Sequence, residues 1–308
     1  MEEALKAPLF KFSTMKLGGE AERLCQPETV DELVTLVDRL QASGDKWSIV
    51  GGGSNLLISS KGVSGTVIRT AFLKEIKTTD EQTIEASAGT RLPHLAKHAA
   101  SLGLSGLEFA VGIPGTVGGA VIMNAGAHGS CIANVFESAL VFDSEKGDLV
   151  TLTGEDLGFV YRNCNLDPDK HVIVSAKFKL NPGSADEIAA KTQANEDYRW
   201  KTQPIGWPNL GSTFKNPLPD KSAGFLLDQS GAKDLKVGQA AVSSMHANFV
   251  INLGGATSQE VTKLLQEMQD LVFKNFEIQM TPEWKTMGNF SEEELVAWNR
   301  SNRKDLVG

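Results

Sequence analysis

Nineteen consecutive residues, Phe109 to Ala127 (FAVGIPGTVGGAVIMNAGA), carry no charge and include five glycines and one proline. A charge-free run of this length imitates a membrane span, and Gly115 and Gly119 even have the spacing of a helix-packing motif. The imitation fails on backbone cost. Each interior Gly disfavours a helix by about 1 kcal/mol relative to Ala, and a Pro by about 3 kcal/mol. The run therefore predicts a buried loop shaped for close backbone approach. With 308 residues, 41% of them hydrophobic, the chain can build two or three cores to bury it.

The formal charge of -8 argues against a nucleic-acid surface, since no basic run exceeds a pair. Anionic ligands must then be met by local donors. The three cysteines, Cys25, Cys131 and Cys164, are odd in number and show no metal-ligand spacing, so they read as reduced thiols. The first dozen residues lack a continuous apolar stretch, which predicts no secretory signal, no membrane insertion and a cytoplasmic chain.

Periodicity predicts a helix from Thr29 to Gly44, with a capping box of Thr29 and Glu32 and an inward face of Val30, Leu33, Val34, Val37 and Leu40. A strand is expected at Trp47–Val50, then a glycine loop, then the short apolar Leu56-Leu57-Ile58, so the loop joins strand to strand. A second helix starts near Pro93 and ends at Gly103. Leu140–Phe142 and Leu149–Leu152 flank a turn at Lys146-Gly147, and Val172–Leu180 alternates as a half-buried strand does. Asn181-Pro182-Gly183 is a candidate boundary. Ser184 and Glu187 open a helix toward Trp200, and Thr257 and Glu260 cap another with Val261, Leu264, Leu265, Met268, Leu271 and Val272 inward. A short strand is expected at Glu277–Met280, and the polar tail from Ser291 is expected to be peripheral.

Gly51-Gly52-Gly53-Ser54-Asn55 can point several backbone N–H groups into one concavity suited to a diphosphate. Taken alone, it is equally well a tight strand connection. It is neither the Rossmann fingerprint nor a P-loop. The second candidate, Gly112-Ile113-Pro114-Gly115-Thr116-Val117-Gly118-Gly119, is costly unless a flat ligand or another backbone packs against it. Two such loops favour a large dinucleotide. His94 and His98 lie four apart on a predicted helix, but no third ligand is evident and no metal site is expected.

These segments, together with Ser13-Thr14-Met15-Lys16-Leu17-Gly18-Gly19, Tyr161-Arg162, Gly211-Ser212-Thr213-Phe214-Lys215-Asn216-Pro217, His246-Ala247-Asn248-Phe249-Val250-Ile251-Asn252 and Pro282-Glu283, resemble the UDP-N-acetylenolpyruvoylglucosamine reductase family over about Phe12 to Gly288. The chain lacks long insertions and so resembles the shorter, type II subclass. The resemblance implies an α+β fold. In it, an FAD-binding PCMH-type domain of two α/β lobes covers residues 1–181, a smaller α+β substrate-binding domain covers 183–285, and a tail covers 286–308. It also implies noncovalent FAD and two half-reactions, in which NADPH reduces the flavin and hydride then passes to the enolpyruvyl group of a UDP-sugar in peptidoglycan synthesis.

By the same resemblance, Gly51, Gly52, Gly53, Ser54, Asn55, Leu56, Gly112, Ile113, Pro114, Gly115, Gly118 and Gly119 contact the cofactor. Arg162, Ser212 and Glu283 are catalytic: a permanent cation for the carboxylate, a proton donor for the alpha carbon, and a carboxylate that supports charge or orients a water. Tyr161, Arg199, Lys215, Asn216 and Lys285 answer the UDP diphosphate. Without the resemblance, Arg162 reads as a surface arginine, Ser212 as a turn residue and Glu283 as an exposed acid. Cys164, His128 and Trp284 depart from the family's usual Ser, Tyr and small aliphatic residue. Two alternatives stand beside this reading: another oxidoreductase sharing the FAD domain, and a UDP-sugar binding protein without chemistry.

Overall fold

The computed structural model describes residues 1–300, which form an α+β fold. Its helices are α1 (Val30–Ser43), α2 (Leu92–Ser101), α3 (Val117–Ile122), α4 (Gly154–Leu157), α5 (Ala185–Thr202), α6 (Ala223–Gln229), α7 (Ser258–Phe276) and α8 (Val296–Asn299). α1 starts where the Thr29 hydroxyl accepts the Glu32 N–H at 3.2 Å, and Gly44 closes it in the left-handed region. The Glu32 carboxylate turns away from the expected reciprocal cap. It accepts instead from the Glu28 N–H at 2.9 Å and the terminal ammonium at 2.8 Å.

α3 corrects the reading of 109–127 as loop throughout. Val117 and Val121 are fully buried and Ala120 nearly so, at helical spacing. Burying each valine stabilises by roughly 1.5–3 kcal/mol, which outweighs about 1 kcal/mol for each of Gly118 and Gly119. The strand expected at Glu277–Met280 is also absent. Glu277 adopts φ +57° as the C-cap of α7, and that left-handed turn interrupts the extended run.

Chain contacts divide the protein into two compact units: residues 1–5, 23–52 and 65–199, and residues 6–22, 53–64 and from Trp200 onward. The chain thus changes unit after Arg199, not at Asn181-Pro182-Gly183. Asn181 and Pro182 pair antiparallel with Ser105 and Leu104, and the Gly183 N–H donates to Gly103 at 2.9 Å, so this stretch stays in the first unit.

The first unit holds a five-stranded sheet in the order Asp148–Thr153, Phe136–Asp143, His171–Lys179, Thr83–Ser87, Ile76–Thr78, every pair antiparallel. Ile84, Ala86, Ile173, Ala176 and Phe178 from this sheet pack with Leu92, Leu95 and Ala99 of α2 and with Val117 and Val121 of α3. A second core joins Leu33, Leu36, Val37 and Leu40 of α1 to Cys25, Ile68, Phe142 and Val174. Trp47–Val50 runs parallel to Thr66–Arg69 and ends at Gly51, which delivers the first glycine loop.

In the second unit, Lys236–Val237, Ala240–Val242 and Val250–Asn252 form an antiparallel sheet. Lys285–Met287 runs parallel to Leu56–Ile58. The core gathers Val261, Leu264, Leu265, Met268 and Val272 of α7 around Phe214, Leu226, Val250 and Trp284. The segment from Ser291 is not peripheral through residue 300. Ala297 is fully buried there, Glu294 is 4% exposed, and the Trp298 indole donates to the Trp284 carbonyl at 2.8 Å. The remainder of the expected tail, residues 301–308, lies outside the described residues.

Candidate active site

In the first unit the two glycine segments meet. A Cβ on Gly51 would sit 2.3 Å from the Thr116 hydroxyl oxygen, and one on Gly52 would sit 2.7 Å from the Gly115 Cα. Neither position tolerates a side chain. Part of the glycine content therefore serves loop-on-loop packing, the second of the two explanations the sequence left open. The Thr116 hydroxyl is buried there without a hydrogen-bond partner, while Gly52 and Gly119 are exposed beside it. A buried polar group without a partner costs about 1–3 kcal/mol. An anionic group seated against exposed glycine backbone would relieve that cost, so these residues fit a phosphate-bearing cofactor such as FAD.

Tyr161 and Arg162 follow in the same unit. Arg162 takes φ +58°, a strained conformation for a side-chain-bearing residue. Its guanidinium donates to the Gly126 carbonyl at 2.8 Å and lies 5.1 Å from the Tyr161 ring centroid. Asn124, itself at φ +39°, links the surrounding chain. Its amide donates to the Val160 carbonyl and accepts from the Ala133 N–H, both at 3.0 Å. Asn124, which ties two backbone segments beside Arg162, and Thr116, whose hydroxyl is buried against Gly51, were not singled out from the sequence. Only their places inside the glycine-rich run hinted at them.

Arg199, near the end of α5, packs its aliphatic stem on Gly112, where an added Cβ would stand 2.1 Å from the Arg199 Cδ. Burial lowers its guanidinium to about 10. His128 at φ +52° sits edge-on to Tyr198, with centroids 5.5 Å apart. Burial and then the Arg199 charge push the His128 imidazole down. A half-buried cation whose charge is penalised by desolvation favours an anionic partner.

In the second unit, Ser212 and Glu283 lie on neighbouring extended segments. The Glu283 N–H donates to the Thr213 carbonyl and the Lys215 N–H to the Thr281 carbonyl, at 2.8 and 2.9 Å. Buried Asn248 grips the other side. Its carbonyl oxygen accepts the Thr213 N–H, and its side chain exchanges two 2.9 Å bonds with the Phe214 backbone. Gly211 at φ +77° turns the chain into this segment, and the Asn209 side chain accepts its N–H at 2.8 Å. Asn248 was not assigned a role from sequence, although the His246-Ala247-Asn248-Phe249 segment drew attention to it.

The rest of the first glycine loop also belongs to this unit. A Cβ on Gly53 would meet the Phe12 carbonyl at 2.0 Å. Asn55 accepts the Lys285 N–H at 3.0 Å and donates to the Glu283 carbonyl at 3.3 Å, and Leu56 stands opposite Lys285. Asn216 is exposed and its side-chain oxygen accepts the Ala223 N–H at 3.0 Å, which ties it to the start of α6. Lys285 is exposed and Lys215 half-buried. The structure thus joins Glu283, Asn55, Lys285 and Thr213, the residue after Ser212, in one backbone network, and places Tyr161, Arg162 and Arg199 in the first unit.

A family model described as the C-terminal domain of UDP-N-acetylenolpyruvoylglucosamine reductase matches residues 203–287, and one described as an FAD binding domain matches residues 21–153. Such a reductase from Caldicellulosiruptor saccharolyticus is 41% identical, covering 92% of this chain and 91% of that protein. One from Synechocystis is 43% identical, covering 92% and 90%. The crystal structure of the Thermus caldophilus reductase superposes with a TM-score of 0.78 at 35% identity, covering 93% of this chain and 98% of that one. With relatives this similar over nearly their whole length, the chain belongs to the UDP-N-acetylenolpyruvoylglucosamine reductase family.

Proposed function

We propose that this protein is an FAD-dependent reductase. It uses NADPH to reduce the enolpyruvyl ether of a UDP-N-acetylglucosamine substrate to UDP-N-acetylmuramate, a step in peptidoglycan synthesis. The observation that supports the proposal is the backbone pairing of Glu283 with Thr213, the residue that follows Ser212, together with two glycine loops opposed around a buried, unpartnered threonine hydroxyl. FAD binding falls mainly to residues 21–153 and substrate binding mainly to residues 203–287, with Tyr161, Arg162 and Arg199 added from the first unit. The reaction draws on nucleotide-linked sugar and NADPH, which assigns it to the cytoplasm. Among the described residues no helix is long and apolar enough to cross a membrane.

Bound FAD supplies the hydride-carrying chemistry between NADPH and the vinyl carbon. The chain handles the charge that results. Hydride addition leaves an enolate conjugated with the substrate carboxylate. Arg162, whose guanidinium fork suits a carboxylate, holds that carboxylate and stabilises the developing charge. Ser212 passes its hydroxyl proton to the alpha carbon, a transfer driven by the basicity of the enolate. Glu283 steadies the proton path, while Tyr161, Arg199, Lys215, Asn216 and Lys285 bind the diphosphate end of the substrate.

The purified protein is expected to be yellow with releasable FAD, and to oxidise NADPH much faster once the enolpyruvyl UDP-sugar is added. Stopped-flow of Ser212→Ala should show flavin reduction by NADPH near the wild-type rate, with the substrate half-reaction slowed by about 10²–10⁴. Loss of the first step with the second intact would refute the role of Ser212. Tight UDP-sugar binding without any turnover would identify a binding protein instead.

A further inference from the structure

α5 has no apolar stripe to orient it, since Ile188 and Asn195 are its buried residues over eighteen positions. An amphipathic helix is set in rotation and height by core packing. α5 must be set by polar contacts. Lys191, Asn195 and Arg199 are spaced four apart and fall on one line down the helix. All three meet the same short stretch of chain. The Lys191 ammonium lies 3.6 Å from the Glu108 carboxylate, the Asn195 amide donates to the Glu108 carbonyl at 2.9 Å, and Arg199 lies on Gly112.

Glu108 is itself held firmly. Its carboxylate accepts the Ser105 hydroxyl at 2.6 Å and the Gly106 N–H at 3.0 Å, and the side chain is 4% exposed. Burial pushes its carboxyl up, yet the Ser105 hydroxyl, nearby backbone N–H groups and Lys191 more than offset this and hold it below the usual range. It stays an anion. The Ala110 and Ile113 N–H groups bond back to Leu107 and Ala110, so Glu108 and Gly112 belong to one continuous turn structure. The Lys97–Glu196 pair at 3.2 Å, with Lys97 exposed and Glu196 half-buried, adds little to this anchoring.

We propose that Glu108 and Asn195 are positioning residues that fix α5 against the glycine segment and so aim the Arg199 guanidinium at the substrate's diphosphate. The proposal rests on the assignment of Arg199 to that diphosphate. It gives Glu108 and Asn195 a function beyond packing: they set substrate affinity without touching substrate.

The test is a double-mutant cycle on the FAD-loaded enzyme, with KM for the enolpyruvyl UDP-sugar, kcat and bound FAD as readouts. Arg199→Met should raise KM roughly ten- to a hundredfold. Asn195→Ala should raise it about tenfold with kcat and FAD content near wild type, and should add little in the Arg199→Met background. Lys191→Ala, on an exposed side chain, gives the same direction with a smaller effect and covers the case in which Asn195→Ala fails to fold. Equal effects of Asn195→Ala in both backgrounds, or none in either while Arg199→Met still raises KM, would overturn the positioning role alone. An unchanged KM in Arg199→Met would overturn the assignment of Arg199 and the proposal with it.

Discussion

His246 couples proton binding to the Thr213-Phe214 segment of the second unit. Its Nδ1 accepts the Asn248 N–H at 3.1 Å, and Asn248 in turn holds the Thr213-Phe214 backbone beside Ser212. Burial, then the Lys233 charge, lower its imidazole, with Asp228 offsetting only part. Below an unfolded value of about 6.5, the unfolded chain binds this proton before the folded one does. Stability should therefore fall as pH drops from about 6.5 toward the lower folded value. Thermal melts from pH 7.5 to 5 should show this slope, and His246→Phe should flatten it. An unchanged slope in the variant would remove His246 from the account. Residue identity alone did not disclose this role, because the sequence gives the imidazole but neither its burial nor its acceptor.

At the scale of elements, α7 is the one most completely written in its own sequence. Thr257 accepts the Glu260 N–H at 3.2 Å, and the Glu260 carboxylate accepts the Thr257 N–H at 2.8 Å, closing the expected capping box. Val261, Leu264, Leu265, Met268 and Val272 are fully buried as the periodicity requires, while Leu271, also expected inward, is partly buried. Thr257→Ala should destabilise the protein by about 1 kcal/mol. Urea denaturation would register this as a lower midpoint at constant slope, and an unmoved midpoint would mean the cap is redundant. α3 shows the opposite case. Its glycines argue locally against a helix, and only the burial of Val117 and Val121 in a core built by distant strands overrides them.

Over the whole molecule, residues 291–299 are built into the core of the second unit through one buried carboxylate. Glu294 accepts from the Lys61 ammonium at 2.6 Å, the Ser258 hydroxyl at 3.2 Å, and the Ser291 N–H and hydroxyl at 2.9 and 3.0 Å. Glu294→Ala strands several of these donors and should cost about 1–3 kcal/mol, seen as a lowered melting temperature. A variant as stable as the parent would show that the network contributes nothing net. The sequence by itself determined the α+β class, the helices α1, α2 and α7, the capping box of α7, the strand Trp47–Val50, and the family, because periodicity, capping and motif order are read along the chain. It could not decide that the unit boundary falls after Arg199, that Gly51 and Gly52 are demanded by Gly115 and Thr116, or that Asn248 and Asn195 position other groups. Those features are contacts between segments tens to hundreds of residues apart, and only the folded chain selects which donor meets which acceptor.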